Sequence, residues 1–159
     1  MNVKTSLAAG LLLATPAAAA STDATIALTT QPGSALEATA TQLVGGDLKQ
    51  SRSAGDPPVM LVGSAHLSTK PGPAALFVQV QSASFCGSAG CSTSVYVRKG
   101  VGWTKVLDSI SGPIKLSRRS HQGMHDLLVH GKDRWVWTGK AYADTLPAPD
   151  VDLLHSRKG

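Results

Sequence analysis

"FCGSAGCSTSVYV" (residues 85–97) carries both cysteines of the 159-residue chain, Cys86 and Cys91, with four small residues between them. If that spacer turns one antiparallel strand into the next, Cys86 faces Cys91. Stepping outward then sets Ser84 opposite Thr93, Ser82 opposite Val95 and Val80 opposite Val97. Valines share a face with the cysteines, and Gln79, Gln81, Tyr96 and Arg98 take the other face. A slip of one residue would mix the two sets. The reading is a hairpin disulfide. A redox pair expects two intervening residues at a helix start, where amide groups lower the thiol pKa, and this context is strand-like.

Working outward, "VMLVGSAHLS" (59–68) and "AALFVQVQSASF" (74–85) read as strands joined by the Pro-Gly-Pro turn at Pro71–Pro73. Further short strands follow in "STSVYVRK" (92–99), "WTKVLDSI" (103–110), "GPIKLS" (112–117), "HDLLVHG" (125–131) and "RWVWTGKAY" (134–142). Such spacing predicts an antiparallel meander. Upstream, "SALEATATQLVGG" (34–46) sets Ser34 three residues before Glu37, the capping-box spacing, with Leu36, Ala40, Leu43 and Val44 on one face. Gly45-Gly46 ends this helix near Val44, and "GDLKQSRSAGDPP" (46–58) reads as a loop. The fold class expected is α+β: mainly an antiparallel β meander, with one short N-terminal helix and a hairpin disulfide.

The first 20 residues read as a secretory signal peptide: Lys4, an apolar run through Ala14, Pro16, then small residues to Ala20. A transmembrane anchor needs about 20 strongly apolar residues, more than this alanine-rich run supplies. Residues 21–33 form an extended or disordered leader with an edge strand near 24–28, residues 34–144 a single domain, and residues 145–159 an irregular tail. Export puts the protein in the periplasm or outside the cell, where a nearby cysteine pair is oxidised. It also argues against nucleic acid as a partner. Losing Lys4 with the signal takes the net charge from +5 to +4. That balance favours an anionic cell-envelope polymer or an acidic envelope protein. Glu37 is the sole glutamate, so a paired-carboxylate mechanism would have to use aspartates such as Asp108 or Asp133.

Three stretches carry candidate chemistry. In "HQGMHDLLVHG" (121–131), His121, His125 and His130 lie close enough to suggest a metal site, and Asp126 beside His125 suggests a hydrolase. Neighbours in a strand point apart, however, and no G-x-S-x-G elbow exposes a nucleophile. In "RWVWTGKAY", a tight Thr138-Gly139 turn would set Trp137 opposite Lys140 and Trp135 opposite Tyr142, giving either a core-closing aromatic hairpin or a binding platform. "RKGVGW" (98–103) adds a basic rim from Arg98 and Lys99, and "KLSRRSH" (115–121) adds Lys115, Arg118 and Arg119.

"FCGSAGC", "VYVRKGVGW", "GMHDLLVHG" and "WTGKAY" together resemble a loose group of small exported bacterial proteins of unassigned function. Their shared features are a CGxxGC hairpin, a G-x-x-D-L-x-V strand and a terminal W-x-G-x-x-Y hairpin. The resemblance covers about residues 76–142 and bears on fold. "WTGKAY" is also superficially similar to the S-G-x-x-Y element of periplasmic lysozyme inhibitors, with Thr138 in place of the serine. A positive chain would be repelled by a basic lysozyme, which weighs against that comparison. The function expected is an exported, non-enzymatic binding or interaction protein of the cell envelope, an inhibitor or an accessory subunit. Its binding residues would be Trp135, Trp137, Lys140, Tyr142, Arg98 and Lys99, with no cofactor and no metal. The alternative is an envelope hydrolase or metal-dependent protein built on His121, His125 and Asp126.

Overall fold

The computed structural model describes residues 23–146. The expected signal peptide (residues 1–20) and the expected tail beyond Leu146 therefore lie outside the described residues. In chain order the elements are β1 (Ala24–Thr25), α1 (Ala35–Leu43), α2 (Gly45–Ser53), β2 (Val59–Ala65), β3 (Ala75–Gln81), β4 (Cys86–Gly87) and β5 (Gly90–Lys99). Then come β6 (Gly102–Ser111), β7 (Ile114–His121), β8 (Met124–Val129), β9 (Asp133–Trp137) and β10 (Tyr142–Asp144). All strand pairs are antiparallel, and they form two sheets. One runs β2-β3-β5, with β4 and β6 both on β5. The other runs β1-β7-β8-β9-β10.

The helices cover one face of the first sheet and the second sheet covers the other, giving three layers. Strand β3 explains why: its run Ala75–Val78 is buried on both faces. Ala75 and Phe77 point between the sheets, where they meet Val95, Val106, Ile114, Leu127, Val129 and Trp137. Leu76, Val78 and Val80 point to the helices, where they meet Ala40, Val44, Leu48 and Tyr96. A strand apolar on both faces is what a central layer needs.

The α+β class and the antiparallel sheets stand, but the single helix must be corrected to two. Ser34 Oγ accepts from the Glu37 amide, as the capping box requires, while the Glu37 carboxylate accepts from Gly33 rather than Ser34. Gly45-Gly46 bends the chain instead of stopping it. The segment assigned to a loop continues as α2, with Val44 as the hinge residue between the helices. Burial of Leu48 and of Ser51, whose hydroxyl meets Ser82 Oγ at 2.8 Å, anchors this mostly polar helix to the sheet. Asp47 in its first turn and Arg52 in its last complement the helix dipole.

The hairpin register is also corrected. Cys86 pairs with Cys91 and the two are disulfide-bonded. That ladder does not run on into β3, however, because Phe77 pairs with Val95 and Gln79 with Thr93. A turn at residues 82–85, closed by the Phe85 and Cys86 amides on the Ser82 carbonyl, takes up the extra chain. Val80 consequently lies with Tyr96 on the helix side, while Val95 and Val97 face the other sheet. Because the disulfide closes only its own small loop, converting both cysteines to serine is expected to cost about 2 kcal/mol. The measurement is the urea midpoint, with the β3–β5 amides keeping their hydrogen-exchange protection.

The leader is built into this architecture. Ala24 and Thr25 pair with β7, Ile26 is buried, and Thr29 bridges Val62 of the other sheet. The crossing passes so close to β2 that a Cβ at Gly63 would sit 2.4 Å from the Ala27 carbonyl oxygen. Only glycine permits that approach. Among the described residues, no helix is long and apolar enough to cross a membrane.

Candidate functional site

One end of the two-sheet sandwich is open. Four chain segments meet there: the residue 67–73 connection between β2 and β3, the end of β5, the start of β8 and the end of β9. They enclose a cleft of about 330 Å³. Trp137, Met124, Val97, Leu67 and Ala75, with Pro71 and Pro73, make its apolar lining, and the exposed end of β5 at Arg98–Lys99 borders it. The connection is tied to the second sheet by backbone bonds. Thr69 N–H donates to the Gly123 carbonyl at 2.9 Å, and His125 N–H donates to the Leu67 carbonyl at 2.7 Å. Arg98 lies over the Trp103 ring at 5.8 Å, a cation–π contact on the helix side of the first sheet, opposite the face of Val97.

The structure therefore brings Trp137 beside the strand end that carries Arg98 and Lys99, residues far apart in sequence, and leaves Lys140 and Trp135 outside this cleft lining. The terminal hairpin does not turn at Thr138-Gly139 alone. Residues 138–141 form the loop, with the Thr138 N–H donating to the Ala141 carbonyl, so Trp137 pairs with Tyr142 and Trp135 with Asp144. This corrects the expected pairings with Lys140 and Tyr142. Trp137 and Tyr142 are 9 % and 5 % exposed and pack edge to face at 5.4 Å, so the core-closing reading describes them. Lys140 is exposed at the loop. Half-buried Trp135 lies elsewhere, beside the shallow seam where β6 runs next to β9 and β10.

No family model, curated protein or solved structure matches this chain.

The histidine stretch resolves into a second constellation. Asp126 is fully buried, and its carboxylate accepts from His121 Nδ1 at 2.6 Å and from Arg134 Nη1 at 2.9 Å. The β8–β9 ladder pairs Leu128 with Arg134, which sets Arg134 diagonally beside Asp126 on one face. His125 points elsewhere, with its Nδ1–H donating to the Ser117 carbonyl at 3.1 Å. Adjacent residues do point apart, as the strand reading expects. Asp126 instead finds His121 across the β7–β8 turn. Arg134 was missed by sequence reasoning, and its eight-residue separation from Asp126 offers no local signal. Among the described residues, no hydroxyl is hydrogen-bonded to either histidine. Nor do three His, Cys, Asp or Glu side chains converge there on a metal position.

The remaining carboxylate candidates are weaker. Burial pushes the Asp108 carboxyl up, but bonds from Ser94 Oγ at 2.6 Å and Lys105 Nζ at 2.9 Å outweigh it and hold the group below its ordinary range. A carboxylate so held is a poor proton acceptor near neutrality. Burial, aided by the negative charge of Asp126, raises the Tyr142 phenol well above its ordinary value. Its hydroxyl donates to the His125 carbonyl at 2.7 Å. Because the folded-state pKa is raised, this contribution to stability is complete below the unfolded value near pH 10 and is lost as pH rises beyond it. Tyr142→Phe is thus expected to be about 1 kcal/mol less stable at pH 7, from the lost hydrogen bond. Urea titrations at several pH values should show that deficit shrinking above about pH 10.

Proposed function

We propose that this chain is an exported, non-enzymatic binding protein of the bacterial cell envelope, periplasmic or secreted, which acts as an inhibitor or an accessory subunit. The observation that carries the reading is the cleft at the open end of the sandwich, with an apolar lining and the exposed strand end Arg98–Lys99 beside it. A preformed, mostly apolar concavity is the common form of a ligand site. The tied connection at residues 67–69 supports a cleft present before binding, which reduces the ordering cost. The disulfide and the secretory start of the sequence are consistent with an oxidising compartment.

Trp137 lines the cleft and provides the test. Titrating the protein with envelope extract fractions, or with the purified components they yield, should shift its tryptophan emission. Met124→Trp, which fills the cleft, should abolish saturable binding while leaving the melting temperature within a few degrees. Equal binding by both proteins would remove the cleft from the function.

The 2.6 Å contact between His121 and buried Asp126 favours a second reading, an envelope hydrolase. The carboxylate would orient the imidazole and leave Nε2 outward for proton transfer. Turnover of ester or amide model substrates that is lost in His121→Ala and retained in His125→Ala would establish it. His125 is the internal control, because its ring is turned to Ser117.

A further inference from the structure

We infer that the open end of the sandwich docks on the surface of an anionic phospholipid bilayer. Four connections form this end: residues 66–74 between β2 and β3, the β5–β6 tip at Gly100–Val101, the β7–β8 turn at Gln122–Gly123, and the loop at residues 138–141. Contacts hold them side by side. The Thr69 N–H donates to the Gly123 carbonyl, Gln122 Oε1 lies 2.9 Å from where a Cβ on Gly139 would stand, and the cleft joins Pro71 and Pro73 to the end of β5. Lys70, Arg98, Lys99 and Lys140 are all exposed here. Across residues 66–74, 97–103, 121–124 and 138–141 the sequence contains no Asp or Glu. Just beyond these segments, Asp108 and Asp126 are paired with Lys105 and Arg134.

The opposite end has the reverse balance. Asp56 before β2, Asp133 at the start of β9 and Asp144 at the end of β10 stand there against Lys132. Charge is thus segregated along the strand direction, which turns the basic end toward a negative surface. Strand alternation sets Arg98 and Lys99 on opposite faces of the β5–β6 hairpin, Arg98 on the helix side over Trp103, so cations flank both sides of its tip. At that tip Val101 is 98 % exposed. Two-residue hairpin turns are ordinarily built from Gly, Asn or Asp. At the same end Trp103 is only half-buried, and Pro71 and Pro73 are exposed. A soluble polyanion would meet the cations and leave these apolar groups in water. A bilayer receives both, with the valine at the acyl boundary, the indole at headgroup level and the cations on phosphate. Such docking needs no occupant in the cleft.

Co-sedimentation of the full mature chain with vesicles of phosphatidylcholine, alone or mixed with phosphatidylglycerol, tests this. At low salt the anionic vesicles should bind at least about a hundredfold more tightly, and the preference should shrink as added salt shortens the Debye length. Lys70→Gln, Arg98→Gln, Lys99→Gln and Lys140→Gln should each weaken anionic binding about fivefold, and the quadruple variant should treat both vesicles alike. Lys132→Gln, at the opposite end, should bind within about twofold of the parent. Val101→Gln should weaken binding about tenfold without altering its salt dependence. All these side chains are exposed, so thermal melts should match the parent. Met124→Trp, which fills the cleft, should leave vesicle binding unchanged. Failure to sediment with anionic vesicles at low salt would overturn the inference and leave the cleft reading intact. Equal losses in Lys132→Gln and Lys99→Gln would also overturn it, by reducing the effect to net charge. Binding to soluble polyphosphate as tight as to vesicles, and unchanged in Val101→Gln, would remove the bilayer as the partner.

Discussion

Phe77→Ala is expected to destabilise the fold by about 4 kcal/mol and to lower the melting temperature by about 15 °C. Phe77 is fully buried in the middle layer. It is hydrogen-bonded through its strand to a neighbour on each side, pairing with Gly63 of β2 and Val95 of β5. Two ladders hold the backbone, so the strand cannot move inward to fill the space. The leader cannot fill it either, because Ala27 and Leu28 already pack against Gly63 at the limit of contact. The cost is therefore the transfer of the ring to water plus a cavity that persists. Urea denaturation monitored by circular dichroism should show the midpoint fall with an unchanged slope. A loss below about 1 kcal/mol would mean that the sheets close over the site. Leu76→Ala, one residue earlier but facing the helices, should cost 2–5 kcal/mol by the same reasoning applied to the other interface. The two losses should add nearly fully, because a sheet separates the cavities.

That division of β3 between two cores marks how far the sequence can be read. The continuous apolar run from Ala75 to Val78 announces a buried strand, but not which residue faces which layer. The hairpin register was extrapolated from Cys86 and Cys91, and the turn at residues 82–85 interrupts that local rule. Helix α1 was legible because Ser34 and Glu37 carry their signal within one turn. Helix α2 was not, since its two glycines and polar composition oppose helix formation. Packing of Leu48 and Ser51 on the sheet overrides those propensities. Three of the eleven residues that line the cleft, Arg98, Lys99 and Trp137, are candidates from sequence. Their meeting depends on two strand ends from different sheets and on a connection tied by backbone bonds, none of which has a local pattern. The four-residue turn at residues 138–141 likewise shifts the hairpin register, so that Tyr142 meets Trp137 and not Trp135.

Arg134→Met is expected to destabilise by about 3 kcal/mol, the lower end of the cost of breaking a buried ion pair. Asp126 is fully buried and would be left with only the half-exposed imidazole of His121. The double variant Asp126→Leu/Arg134→Met should return to within about 1 kcal/mol of the parent, because it removes both the charge and its desolvation cost. Lys105 and Asp108 provide the comparison. They are also 2.9 Å apart, yet their side chains are 41 % and 55 % exposed. Lys105→Met should therefore cost less than about 1 kcal/mol, the usual range for solvated pairs. Equal distances with unequal losses would show that burial of the carboxylate sets the magnitude. The same experiment bears on His121. If Arg134 holds the Asp126 charge in place, the His121 contact is a surface cover on a structural ion pair, and His121→Ala should alter stability by no more than about 1 kcal/mol. A negligible loss in Arg134→Met would reverse the argument. The buried carboxylate would then be held chiefly by His121, and the Asp126–His121 pair would gain standing as an acid–base dyad.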